Sequence, residues 1–268
     1  MGEIIRIDDP GDARIAPYRD IREHDLVGRE GLFIAEGEVV VRVLCGVSAQ
    51  HRPLSLFLAE KRVAALADLI DSLPEDVPVY VAPQVVMDTI AGFSIHRGIL
   101  ALGRRGDMAS AEALLAMAES QALVPVLCGI ANHDNMGGLL RNAAAFGADF
   151  VLLDSECCDP LYRKAIRVSA GNGLTVRFAR FERDVDVLDL LAVNGFEAIG
   201  LSPGGGIRLA DAPRPDRLAV LFGAEGPGLP GSILRRIRTV RIAMAPGVDS
   251  LNVATASGIV LHHFMAKA

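Results

Sequence analysis

The chain has 268 residues, of which 51% are hydrophobic, and it carries a formal net charge of −6. This length exceeds the usual size of one compact domain, so two domains are the favoured organisation. The charged N-terminus lacks the apolar core of a secretion signal, and no run of eighteen apolar residues follows it. We therefore expect a cytoplasmic protein that does not enter a membrane.

The charge and the cysteine content indicate which nucleic acids and metal ions the protein could bind. An acidic chain is unusual for a nucleic-acid binder, but the part from Val124 onward is balanced, with 15 basic and 14 acidic residues against 12 and 19 before it. The absence of Trp disfavours a protein that stacks many single-stranded bases. No cysteine or histidine spacing matches a metal site, so we predict no metal and reduced thiols at the four cysteines: Cys45, Cys128, Cys157 and Cys158.

The first part of the chain alternates short apolar runs with helical patterns. Strands are predicted in LFIAEG, LSLFLAE, VPVYVA and RGILALG, and helices in EVVVRVLCG, KRVAALADLIDSL and PQVVMDTIAG. This alternation predicts a small α/β domain over residues 1–105. The alanine-rich stretch that follows predicts a helical linker over residues 106–122.

A second alternation of strands and helices fills residues 123–268. Strands are predicted in VPVLCGI, DFVLLD, TVRF, FEAIGLS, RLAVLFGAE and TVRIAM, and helices in GGLLRNAAAFG, YRKAIRV, VDVLDLLAVNG, SILRRIR and NVATASGIVLHHFMAK. Such alternation is typical of an α/β fold with a parallel sheet covered on both faces. Ligands of such sheets bind beyond the carboxyl ends of the strands.

Polar residues mark the first of three turns that follow predicted strands. Asn132, Asp134 and Asn135 precede a helix whose only charged residue is Arg141. A guanidinium cannot lose its charge when it is desolvated, so an arginine on an apolar helix is usually paired or faces a ligand. A surface arginine that lays its stem along the helix is the alternative.

Glycines dominate the second turn, LFGAEGPGLPG, which contains Glu225. Its spacing Gly226-x-Gly228-x-x-Gly231 matches a dinucleotide fingerprint weakly, because two prolines interrupt it, and a backbone that approaches a flat ligand explains the glycines as well. The third turn, RIAMAPGVDSLN, leads into the last helix. There, Ser250 or Asn252 suits the N-cap position.

Together the three turns resemble the three motifs of the SpoU (TrmH) family of SPOUT RNA methyltransferases. The intervening RKAIRVSAG, with Arg167, Ser169 and Gly171, is also similar, and Glu36-Gly37 and His96-Arg97-Gly98 resemble marks of the family's substrate-binding extension. The residues that match the three motifs are Asn135, Gly137, Arg141, Phe146 and Gly147, then Gly223, Glu225, Gly226 and Gly228, then Ser250, Leu251, Asn252, Val253 and Ala256.

The resemblance implies a fold and a reaction. The fold is a C-terminal SPOUT-type parallel sheet with a trefoil knot, plus a smaller N-terminal α/β substrate-binding domain. The reaction is methyl transfer from S-adenosylmethionine to a ribose 2′-hydroxyl of rRNA or tRNA, carried out by a homodimer. By position, the backbones of Gly223, Ile242 and Leu251 would hold the cofactor, and its pocket would be completed by Leu201, Ala224, Met244 and Asn252.

The resemblance also implies roles for five residues. Arg141 would orient the hydroxyl and stabilise its developing negative charge, because a guanidinium stays protonated. Asn135 would hydrogen-bond the ribose or Arg141, Glu225 would position the residues of the first motif, and Ser250 with Asn252 would fix the loop and the substrate. One alternative is an RNA-binding or ribosome-assembly factor with the same fold and no catalysis, and another is a nicotinamide-dependent enzyme.

Overall fold

The computed structural model describes residues 3–19, 27–28, 30–91 and 98–265. The chain forms two compact units, Met1–Gly106 with Leu161–Thr175, and Asp107–Pro160 with Val176–Ala268. This grouping differs from the predicted ranges. Residues 107–122 belong to the second unit because their helix buries Leu114 and Leu115 in its core, and the segment Leu161–Thr175 belongs to the first.

The first unit contains a mixed five-stranded sheet in the order β1-β4-β3-β5-β2. Strands β1, β3 and β4 are parallel, and β5 runs antiparallel to both β3 and β2. The elements are β1 (Ile4–Arg6), β2 (Leu32–Glu36), α1 (Glu38–Leu44), β3 (Arg52–Ala59), α2 (Ala67–Ser72), β4 (Val79–Ala82), α3 (Gln84–Ala91) and β5 (Ile99–Arg104).

One predicted helix of this unit is broken. Instead of one helix over KRVAALADLIDSL, the structure has two 3₁₀ turns, Glu60–Arg62 and Ala64–Leu66, followed by the short α2. Val63, Leu66 and Leu69 are spaced three residues apart, which matches the 3₁₀ period better than the α-helical one.

The second unit contains a seven-stranded parallel sheet in the order β10-β12-β9-β11-β6-β7-β8, which confirms the predicted parallel α/β architecture. Every residue of β6 is buried, because parallel strands are covered on both faces. The elements are α4 (Ala111–Met117), β6 (Ala122–Leu127), α5 (His133–Ala145), β7 (Val151–Leu153), α6 (Arg163–Val168, within the first unit), β8 (Phe178–Arg180), α7 (Val187–Val193), β9 (Glu197–Leu201), β10 (Ile207–Arg208), β11 (Arg217–Phe222), α8 (Gly231–Leu234), β12 (Arg238–Arg241) and α9 (Val253–Phe264).

Helix α5 begins four residues before its predicted start. The side chain of Asn132 caps it by accepting from the backbone N–H groups of Asp134 and Asn135, so these two residues lie inside the first turn. Helix α9 packs on α5, and Gly138 makes the close approach: a Cβ there would lie 2.6 Å from the Cβ of Ala254. Gly138 therefore serves the packing of the two helices.

The buried face of α9 is internal to this unit, since Val260, Leu261 and Phe264 are fully buried. No helix in the described ranges has the length and apolar character needed to cross a membrane.

Candidate active site

A cavity of about 290 Å³ lies at the carboxyl ends of β9, β11 and β12 and the start of α9. Every residue predicted to hold the cofactor lines it, together with Glu225 and Ser250. Its walls combine apolar side chains, among them Leu201, Ile242 and Met244, with exposed loop backbone. The position agrees with the expectation that ligands bind beyond the carboxyl ends of a parallel sheet.

Glycines are required where the loop after β11 folds back on itself. A Cβ at Gly223 would lie 2.2 Å from the carbonyl carbon of Gly228 and from the nitrogen of Leu229. The N–H of Gly228 donates to the carbonyl of Ala224 at 2.9 Å, and Gly226 and Gly228 have φ angles of +88° and +71°. A tight turn thus accounts for the glycine spacing, and the four-residue α8 that follows gives the dinucleotide interpretation no support.

Asn135 connects the other two loops through its amide. Its Nδ2 donates to Glu225 Oε2 at 3.0 Å, and its Oδ1 accepts from Asn252 Nδ2 at 2.7 Å. Asn135 is 5% exposed, so both ends of a buried amide are satisfied. The three motifs, separated by up to 117 residues in the chain, therefore meet in one hydrogen-bonded group, which we call the Asn135 network: Asn135, Glu225 and Asn252.

Asn252 has two functions in this geometry. Its Oδ1 caps α9 by accepting from the N–H groups of Ala254 and Thr255 at 2.9 and 3.2 Å, while its Nδ2 reaches Asn135. The predicted N-cap role is confirmed for Asn252. Ser250 lies in the exposed loop before it, at the edge of the cavity.

Arg141 stands apart from this network. It is exposed on α5, it makes no hydrogen bond or ion pair with the residues that the structure describes, and it is not among those that line the cavity. Arg141 therefore lies on the surface, and its donors are available to a molecule that arrives from solvent.

A second amide of α5, which the sequence analysis missed, holds α9. Asn142 Nδ2 donates to the carbonyl of Ala254 at 2.6 Å and to Oγ of the fully buried Ser257 at 2.9 Å. Asn142 follows Asn135 by two helical turns, so the two amides share a face. That spacing of seven residues was the available signal.

Cys128 and Cys158 of the second unit are free thiols. Burial raises the pKa of Cys128 to about 12 and that of Cys158 to about 11. Among the described residues, no three His, Cys, Asp or Glu side chains gather to hold a metal ion.

Comparisons with known proteins show to which family the chain belongs. The sequence profile of the SpoU rRNA Methylase family matches residues 122–262. Relatives from Mycobacterium bovis and Mycobacterium tuberculosis, both named uncharacterized tRNA/rRNA methyltransferases, are 39% identical over 264 residues, which cover 95% of this chain and 89% of theirs.

Solved structures share the fold across nearly the whole chain. An AdoMet-bound rRNA methyltransferase from Sinorhizobium meliloti superposes with a TM-score of 0.79 at 21% identity, covering 97% of both chains. A putative RNA methyltransferase of the TrmH family from Porphyromonas gingivalis gives 0.78 at 24% identity, covering 95% of this chain and 98% of that one. The resemblance of the three motifs is thereby confirmed, and the chain belongs to the SpoU rRNA methylase family.

Proposed function

We propose that the protein transfers a methyl group from S-adenosylmethionine to a ribose 2′-hydroxyl of rRNA or tRNA. The observation that carries the proposal is the Asn135 network, which joins the three family motifs beside a cavity at the carboxyl end of the sheet. The names of the mycobacterial relatives support an RNA substrate. A structure with the same fold, titled an RNA 2′-O ribose methyltransferase, supports the ribose as acceptor, with a TM-score of 0.76 at 23% identity.

The cavity fits the cofactor that is bound in the S. meliloti structure. Leu201, Ile242 and Met244 offer an apolar surface to an adenine ring, and the loop after β11, which Gly223 allows to fold back on itself, presents its backbone to the cavity. When bound there, S-adenosylmethionine supplies a methyl group already activated by its sulfonium.

We assign Arg141 to the ribose hydroxyl that accepts the methyl group. Its guanidinium remains charged, is exposed, and has uncommitted donors within the described residues, so it is suited to orient a ribose hydroxyl and to stabilise the oxygen as its proton leaves. The Asn135 network would hold the loops on which the hydroxyl and the methyl donor meet. Ser250, at the cavity edge, would contact the substrate. Holding that geometry accounts for much of the rate in such reactions.

The remaining expectations belong to the same proposal. We expect the trefoil knot in the second unit, a homodimer, a cytoplasmic location and no metal requirement. The 40% exposed Ile259 on α9 supports a contact between protomers at that helix, on which Val260, Leu261 and Phe264 are buried.

The test is transfer of labelled methyl from S-adenosylmethionine to rRNA and tRNA transcribed in vitro, which carry no modifications. The labelled RNA is then hydrolysed in alkali, because a 2′-O-methyl group protects the adjacent phosphodiester and leaves a labelled dinucleotide. Arg141→Ala should lower turnover by about 10²-fold or more while binding of S-adenosylhomocysteine is unchanged. Arg214→Ala, at another exposed arginine of the second unit, is the matched control and should retain turnover.

Each result decides between the functions. Label in mononucleotides alone would place the methyl on a base and overturn the ribose assignment. RNA binding with S-adenosylhomocysteine binding but no transfer to either RNA would favour the catalytically silent RNA-binding factor. Full turnover by Arg141→Ala would remove Arg141 from the mechanism.

A further inference from the structure

Two sequence marks that the catalytic site does not use meet in the first unit. Glu36 ends β2, and Arg167 lies on α6, 131 residues later in the chain. The structure brings Arg167 Nη1 to 3.7 Å from Glu36 Oε2. Both residues belong to the first unit, because the segment Leu161–Thr175 packs there.

The turn after α6 fixes this segment against α1. Gly171 has a φ of +85°, and a Cβ on it would lie 3.1 Å from the Cβ of Val43. Ser169 is fully buried, donates to the carbonyl of Ile166 at 2.8 Å and accepts from the N–H of Gly173 at 3.1 Å. The motif residues Ser169 and Gly171 therefore set the position of the helix that carries Arg167.

Glu36 is an unusual residue in this setting. Its side chain is 9% exposed, and its Oε2 is buried without a hydrogen-bond partner among the described residues. A buried carboxylate is costly unless a countercharge accompanies it, and the cation paired with it among the described residues is Arg167. This pairing explains why the acid is tolerated, but it leaves open why it is placed there.

Arg167 is attracted to Glu36 by charge, but it does not use its N–H donors in that pair. Its side chain is 47% exposed, and 3.7 Å is too long for a hydrogen bond, so its N–H groups are uncommitted within the described part of the chain. A guanidinium fork of this kind matches the geometry of a phosphate. Lys164, exposed three residues earlier on α6, adds positive charge to the same helix.

We propose that Arg167 binds a backbone phosphate of the substrate RNA and that Glu36 is the positioning residue that aims its guanidinium. The proposal rests on the proposed function, since it names a contact of the RNA substrate. Glu36 fixes the guanidinium from the protein side, and the exposed side of the fork receives the phosphate.

The proposal predicts a change in RNA affinity opposite to the one that net charge alone predicts. Removing an acidic charge from a protein that binds RNA should leave affinity unchanged or raise it. If Glu36 positions Arg167, Glu36→Gln should instead weaken binding of unmodified in vitro transcribed rRNA by about threefold to tenfold. The matched control is Glu75→Gln, the same change at an exposed glutamate of the first unit, which should not weaken it.

A double-mutant cycle separates positioning from damage to the fold. Arg167→Ala should weaken RNA binding about tenfold and reduce the slope of log affinity against log salt by about one. In the Arg167→Ala background, Glu36→Gln should cause no further loss. If Glu36→Gln instead unfolded the first unit, it would weaken RNA binding further in the Arg167→Ala background as well.

The outcomes are distinguishable from failure of the proposed function. If the wild-type protein neither binds nor methylates rRNA or tRNA, the proposed function fails and this inference fails with it. If the wild type methylates RNA but Glu36→Gln binds as Glu75→Gln does, only the inference is overturned. Additive losses in the cycle also overturn it, because they would give Glu36 a role that does not act through Arg167.

Discussion

The two ends of the parallel sheet use polar side chains in different ways. At the carboxyl end, the 5% exposed Asn135 makes one hydrogen bond to each of two distant loops. At the amino end, Arg238 pairs with Glu197 at 2.8 Å, and each side chain is 42% exposed. Polar contacts thus occur at both ends of the sheet, but in very different surroundings.

The difference lies in the access of water. An exposed ion pair gains little because water screens it and competes for both partners, typically less than about 1 kcal/mol. A buried amide with two defined partners is costly to leave unsatisfied, about 1–3 kcal/mol, so it specifies one arrangement of its neighbours. We therefore expect changes at the carboxyl end to alter activity, and changes at the amino end to alter very little.

The largest effect should follow Gly223→Ala. Its Cβ would lie 2.2 Å from the backbone of Gly228, and backbone cannot move aside as a flexible side chain does. Overpacking of this kind costs about 1–3 kcal/mol, which corresponds to about 5- to 150-fold weaker binding if the loop opens into the cavity. Isothermal titration with S-adenosylhomocysteine measures the loss.

The control is Gly204→Ala, in the loop that leads from β9 to β10. Nothing lies within 4 Å of the Cβ that this change would add, so binding should be unchanged. Equal binding by the wild type and Gly223→Ala would show that the loop after β11 does not shape the cofactor cavity.

The next effect separates the two functions of Asn252. Asn252→Asp keeps an oxygen to cap α9 but loses the N–H donor to Asn135 and places a second carboxylate in the network that contains Glu225. We expect turnover lowered by about tenfold or more and stability lowered by about 1–3 kcal/mol, because Asn135 Oδ1 loses its buried hydrogen bond while the cap of α9 is kept. Asn252→Ala should lower turnover too and destabilise the fold by about a further 1 kcal/mol through loss of the cap.

Thermal unfolding and methyl transfer measured on the same preparations check both statements. If Asn252→Asp retained full turnover, the hydrogen bond to Asn135 would be shown to have no part in catalysis.

The sequence predicted the residues that line the cavity better than it predicted the local structure around them. The loop residues could be predicted because a family's motifs keep residue type and spacing together, as at Glu225 and Asn252. The bond between Asn135 and Asn252 could not, because it depends on how α9 packs against α5, and 117 residues separate the two amides. Hydrophobic periodicity reports which face is buried, but it does not report the partner.

Helix boundaries show a similar limit. The predicted helix begins at Gly137, but α5 begins at His133, so Gly137 and Gly138 lie in its interior although glycine is unfavourable there. The strand β1, only three residues long, gave no pattern that could be distinguished from its charged surroundings. Tertiary contacts decide both cases: α9 needs the close approach at Gly138, and β4 provides the pairing for β1.

A moderate effect should follow Gly138→Ala. Alanine favours a helix over glycine by about 1 kcal/mol, but here its Cβ would lie 2.6 Å from that of Ala254. We expect the clash to win, with net destabilisation of about 1–2 kcal/mol and reduced turnover because α9 carries Asn252. The second change Ala254→Gly should restore space and recover turnover, and chemical denaturation with activity assays measures both. A stabilised single variant would mean that the two helices do not approach so closely.

The smallest effect is expected at the amino end of the sheet. Glu197→Gln, Arg238→Ala and the double variant form a cycle whose coupling energy should stay below about 1 kcal/mol, because both side chains are exposed to water and to salt. Added salt should reduce the coupling further, while turnover and S-adenosylhomocysteine affinity match the wild type throughout. A coupling of several kcal/mol, or a loss of turnover, would mean that this end of the sheet is shielded from solvent in the working protein. The amino end would then be part of an interface, and the contrast with the carboxyl end would not reflect a difference in exposure to water.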